Sequence, residues 1–209
     1  MRKYKLTDNT ITITRNGVEI TLHQIEALRD FADVKAGDKG GYVESEANLS
    51  HDGDCWVYDT AKVYDNAKVH GCARVSDCAE VYDNAKVYGT AWILHRAKVY
   101  GNTKVYGNAR ILQYARVYDN AKVSGNTIVA GHAYVYRNAK VCDNAKVYEN
   151  AWVLHDAKVY NNAKVYGNAV VYGNAKIYGN AKVYDYAKVL GNAKVGGNSK
   201  VCGDTALFE

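Results

Sequence analysis

From Val57 to Leu207 an aliphatic residue falls at every sixth position, twenty-six times in succession. Two residues before each stands a small one, nearly always Ala, with Cys55, Thr103, Thr127, Ser199 and Thr205 as substitutes. The unit reads Ala-Lys-Val-Tyr-Gly-Asn, as in residues 163–168. In an extended chain alternate side chains face opposite ways, so Ala and Val point inward while Lys and Tyr point outward. Gly or Asp followed by Asn makes the corner, because Gly and Asn tolerate the left-handed backbone of a sharp turn. A four-residue strand and a two-residue corner are too short for a separate sheet with crossovers. Each hexad must therefore be one side of a coil, and the chain is read as an all-β solenoid.

Composition agrees with a repeat: 19 Tyr against 2 Phe, 18 Gly and no Pro. No apolar run reaches the roughly 18 residues that span a bilayer. The start, Met1-Arg2-Lys3-Tyr4-Lys5, lacks the apolar stretch of a signal peptide. A soluble, cytoplasmic protein with no membrane partner is expected. Five cysteines at 55, 72, 78, 142 and 202 have no Cys-x-x-Cys spacing, which points to free thiols rather than disulfides or zinc. The net charge of +5 argues only weakly for an anionic partner.

The aliphatic residue with a small residue four positions on resembles the hexapeptide-repeat proteins, over residues 43–209. That resemblance implies a left-handed parallel β-helix with three hexads, or eighteen residues, per triangular coil. About nine coils at about 4.8 Å each would make a rod about 40 Å long. Val43 and Leu49 fit the pattern, but eight residues separate Leu49 from Val57, so a bulge is expected at Ser50–Asp54. Residues 1–42 form a capping segment, since residues 10–14 and 18–22 alternate around Asn16-Gly17, a strong hairpin signal. Ile25, Leu28 and Phe31 are read as one face of a short helical turn. A small N-terminal piece ahead of many Tyr-Gly-Asn-Ala hexads is similar to the YdcK-type hexapeptide proteins of bacteria and phages. Some of those carry the label acetyltransferase by fold alone.

Reading every eighteenth residue aligns each face. One face carries Lys68, Lys86, Lys104, Lys122, Lys140, Lys158, Lys176 and Lys194 as an uninterrupted ladder, with Tyr88, Tyr106, Tyr160 and Tyr178 beside it. Interleaved cations and aromatics are compatible with nucleic acid or another polyanion. Asp65, Asp83 and Asp119, three residues before ladder lysines, are expected to offset part of the charge. A second face departs from the consensus. Its outward column Trp56, Arg74, Trp92, Arg110, Ile128 would stack guanidinium groups between indoles, with Leu94 and Leu112 alongside. Tyr134, Trp152 and Leu154 lie on the next face, and Tyr114 and His132 occupy the corner between the two. Such residues dominate protein interfaces, so a protein partner or a second copy, as dimer or trimer, is expected there. The chain's last residues, Ala206 to Glu209, offer a strand edge as a second route to self-association.

Hexapeptide acyltransferases use a His as general base, and His95, His132 and His155, all at corners, are the candidates. The unbroken register leaves no room for the inserted loop that builds such sites, and only Asp156 stands beside one of these histidines as an orienting partner. The six His do not cluster as metal ligands would. These features favour a non-enzymatic scaffold without cofactor or metal. The alternative is a coenzyme A-dependent acyltransferase.

Overall fold

The computed structural model describes residues 2–208. Met1 and Glu209, at the ends of the expected 1–42 and 43–209 segments, lie outside the described residues. The chain is all-β: about nine triangular coils stack into a parallel solenoid with three sheets. Each hexad contributes a two-residue strand such as Lys164–Val165, shorter than the four expected, with turns between. Register partners lie eighteen residues apart, as in Lys104↔Lys122 and Val105↔Val123. Every aliphatic of the repeat from Val57 to Val189 is 0–1% exposed, so Val stacks on Val up the whole axis and excludes water at close-packed density.

The three sheets form distinct faces. The lysine face holds eight strands, from Lys68–Val69 to Lys194–Val195. The tryptophan–arginine face holds nine, from Trp56–Val57 to Lys200–Val201. The third, the cap face, runs from Lys62–Val63 to Ala206–Leu207 and continues into the N-terminal segment.

That segment is the expected hairpin. Strand β1 (Tyr4–Arg15) pairs antiparallel with β2 (Val18–Ala27) around Asn16 and Gly17, both at positive φ. Strand β3 (Lys39–Val43) pairs antiparallel with β2 and parallel with Lys62–Val63, so the cap and the first coil share one sheet. The short helical turn read from Ile25, Leu28 and Phe31 does not form. Ile25 lies in β2, Leu28 is exposed, and Phe31 is held in a bridge to Val34. Bends at residues 51–54 follow a single helical turn, Glu46–Asn48, and absorb the two extra residues; Leu49 still pairs with Val69.

Corner geometry corrects the assignment of the turn residues. The left-handed conformation falls on the first corner position, as at Gly167 (φ 68°) and Asp185 (φ 58°). The Asn that follows does other work: its Nδ2 donates to the Oδ1 of the Asn one coil on, as in Asn102 to Asn120 at 3.2 Å and Asn108 to Asn126 at 2.8 Å. Asparagine ladders thus run up two of the three corners.

Candidate functional site

The third corner, between the tryptophan–arginine face and the cap face, lacks this ladder over its central coils. Arg96, Tyr114 and His132 stand where Asn would. The Arg96 guanidinium lies over the Tyr114 ring at 5.9 Å, and Tyr114 stacks on His132 at 4.8 Å with planes 3° apart. Stacking replaces the amide hydrogen bonds and leaves Tyr114 48% exposed.

On the tryptophan–arginine face the expected stack forms in part. Arg74 and Arg110 flank the Trp92 indole at 5.6 and 5.1 Å, an arrangement favoured by the ring quadrupole. Trp56 does not join it. The cap buries this residue to 1% exposure, edge-on to Phe31 (5.3 Å) and Tyr4 (6.1 Å). The cap also engages Arg74, whose guanidinium pairs with Asp33 at 2.9 Å. Trp92, Leu94, Leu112 and Ile128 are half-buried and Arg110 is exposed. Trp92, Arg110 and Ile128 line a groove of about 560 Å³ against the neighbouring Asn ladder. Around the corner Tyr134 and Trp152 meet at 5.4 Å, with Trp152 45% exposed. Leu154, expected in the same surface, is only 7% exposed and has little area to offer a partner.

The candidate catalytic histidines do not converge. His95 Nδ1 accepts the backbone N–H of Gln113 at 3.3 Å, which commits that nitrogen to the next coil's corner. His132 is stacked on Tyr114, and His155, at a different corner, meets the edge of Tyr172 at 4.3 Å. Asp156 accepts from Asn138 Nδ2 at 3.2 Å as the acidic member of a corner ladder, and no His155–Asp156 hydrogen bond occurs among the described residues. No group of three or more His, Cys, Asp or Glu side chains suited to a metal occurs among those residues. The five cysteines are free thiols. No helix of the described residues is long and apolar enough to cross a membrane.

On the lysine face the eight ladder lysines sit in register, and none forms an ion pair among the described residues. The carboxylates expected to offset them are engaged elsewhere. Asp65 and Asp83 both pair with Arg15 from the hairpin tip, and Asp119 accepts the N–H of Arg137. His70 stands at the head of the tyrosine column, stacked on Tyr88 at 4.9 Å. Burial pushes its imidazole below the usual range, with Lys86 and Lys68 adding to the shift. One feature had no counterpart in the periodicity of the sequence, the Arg15 clamp; the column of five stacked tyrosines, 64 to 136, spaced 4.8–5.0 Å on the cap face, follows the eighteen-residue spacing.

The central coil, residues 115–131, matches the family model described as YdcK Beta solenoid repeat. An Escherichia coli (strain K12) protein named "Uncharacterized acetyltransferase YdcK" is 36% identical over 81 residues, covering 36% of this chain. The match spans about a quarter (25%) of that relative's length. Repeat and fold together make this chain a parallel β-solenoid similar to the YdcK-type hexapeptide-repeat proteins.

Proposed function

We propose that the protein is a binding module whose tryptophan–arginine face, with the corner beside it, docks a second protein surface, a further copy of this chain being the first to test. The observation that carries this reading is the pair of preformed stacks, Arg74–Trp92–Arg110 and Arg96–Tyr114–His132. At most equivalent positions elsewhere on the rod stand Lys and Asn, which suit water. Here large amphipathic groups are already held in one conformation, so a partner would lose less side-chain entropy in ordering them. Trp, Tyr and Arg are also the residue types that anchor protein interfaces. Sedimentation velocity tests it. Wild type is expected to associate with rising concentration, and Trp92→Lys/Leu112→Lys to remain a monomer with an unchanged melting midpoint. If both run as monomers and neither retains a distinct partner from lysate, the reading is wrong.

Acyl transfer is the second reading, supported by the name of the Escherichia coli relative. His155 is its best-placed base, because it borders a groove of about 520 Å³ that also holds Tyr118, Asp119 and Arg137. Acceptor-dependent thiol release from acetyl-coenzyme A, lost in His155→Ala alone, would favour this reading over the first.

A further inference from the structure

The lysine face is a different surface from the one just described, and its chemistry is more regular. Successive ladder lysines are one coil apart, a distance shown by the stacked rings beside them, with Tyr88 and Tyr106 at 5.0 Å. That is shorter than the Debye length of about 8 Å at physiological salt, so the row repels itself without full screening. Among the described residues neither outward column of this face holds an acidic side chain: the second reads His70, Tyr88, Tyr106, Ser124, Cys142, Tyr160, Tyr178, Gly196. The lysines lie against the Asn ladder of the adjoining corner in two grooves, of about 380 and 550 Å³. Asn84, Asn102, Asn120 and Asn138 each spend one N–H and one carbonyl lone pair on their neighbours and retain one N–H and one lone pair for a ligand. One carboxylate, Asp156, interrupts that row.

We propose that the lysine face binds a linear acidic polysaccharide with one carboxylate per sugar ring, laid along the rod axis. Three observations select this class among polyanions. A polymer that advances one pyranose ring per charge keeps pace with a cation on every coil. A B-form strand, with a phosphate about every 3.4 Å, does not. Sugar hydroxyls both donate and accept, which matches the paired donor and acceptor of those Asn residues. Single-stranded nucleic acid is held by stacking successive bases on aromatic faces. Here Tyr88 and Tyr106, and likewise Tyr160 and Tyr178, lie 3–12° from parallel and cover each other. The faces that look toward Ser124 and Cys142 are separated from one another by those two small residues, so successive bases find no successive platforms.

The test uses the full chain and oligogalacturonates graded from trimer to dodecamer, with oligothymidylates of equal charge and a neutral glucan of similar length as comparison probes. Affinity for the uronates is expected to climb with length and level off near eight rings, the number of lysines, and oligothymidylate to bind about tenfold more weakly at equal salt. Lys104→Gln/Lys122→Gln/Lys140→Gln should weaken uronate binding about tenfold or more and lower the log–log salt slope by about 2. The arginine triple at the same positions should retain binding. Lys146→Gln/Lys164→Gln/Lys182→Gln, on the adjacent face, should change affinity less than about threefold. Bound polymer should also raise the His70 imidazole pKa, read by NMR, because it neutralises Lys68 and Lys86. The proposal is overturned if oligothymidylate binds as tightly as the uronate, if the two glutamine triples weaken binding equally, or if uronate does not bind at low salt.

Discussion

A single hexad shows how little each residue is free to vary. The first corner position must take a left-handed backbone, and the chain uses Gly or a residue whose side chain is useful there. Asp77, for example, accepts the N–H of His95 at 2.8 Å, and Asp83 that of Gly101 at 3.0 Å. The small inward position is stricter, since from Cys55 to Ala193 it is closed to water. Thr103 and Thr127 both occupy it at 0% exposure. Thr103 donates its hydroxyl to the Tyr100 carbonyl at 2.6 Å, whereas the Thr127 hydroxyl has no partner among the described residues. A buried hydroxyl without a partner costs its desolvation, so Thr127→Ala, a return to the repeat, should raise stability by about 1 kcal/mol. Thr103→Ala, which removes a made bond, should lower stability or leave it unchanged. Denaturant midpoints of the two variants measure this, and a loss of stability in Thr127→Ala would mean that the hydroxyl is satisfied.

The N-terminal hairpin is the element that makes the first coil closed. Trp56, Ile25 and Phe31 bury one another, and Gly40 and Gly41 let β3 approach: a Cβ at Gly41 would lie 2.6 Å from the Ala61 carbonyl oxygen. Lys3 is fully buried but satisfied, donating to the Cys55 carbonyl at 2.7 Å and the Gly53 carbonyl at 3.2 Å. At the far end of the hairpin Arg15 reaches Asp65 and Asp83 and lies over the Tyr82 ring at 4.5 Å. These carboxylates come from successive coils, so one guanidinium ties the hairpin tip to the rod. Arg15→Ala should cost about 1–3 kcal/mol, a charge-assisted hydrogen-bond contribution tempered by partial exposure. Hydrogen exchange should then quicken at residues 10–14 while the coils beyond residue 90 keep their protection. Uniform loss of protection would show that the hairpin is integral to the whole rod rather than locally clamped.

At the scale of the molecule the rod carries two surfaces of opposite character, the tryptophan–arginine face and the lysine face, each built on its own sheet. Coupling between them should be negligible, as for independent sites well apart. Trp92→Lys/Leu112→Lys should leave uronate affinity within about twofold, and the lysine-face glutamine triple should leave sedimentation unchanged. Coupled losses would indicate one composite site. The sequence by itself determined the coil, because a six-residue alternation of small and aliphatic residues can close only as a narrow solenoid, and eighteen-residue arithmetic places Trp92 beside Arg110 and Lys104 beside Lys122. The Asn-Gly hairpin was equally legible, being a local turn preference. Contacts between residues far apart in the chain were not. Trp56 reads as one more member of an outward column, and only the cap folding over it makes it core. Asp65 and Asp83 read as partners for the lysines, and only the length and course of the hairpin deliver Arg15 to them instead. Periodicity fixes which residues stack because the repeat is local and regular; what covers a surface, or takes its counter-charge, depends on where a non-repeating segment lands in three dimensions.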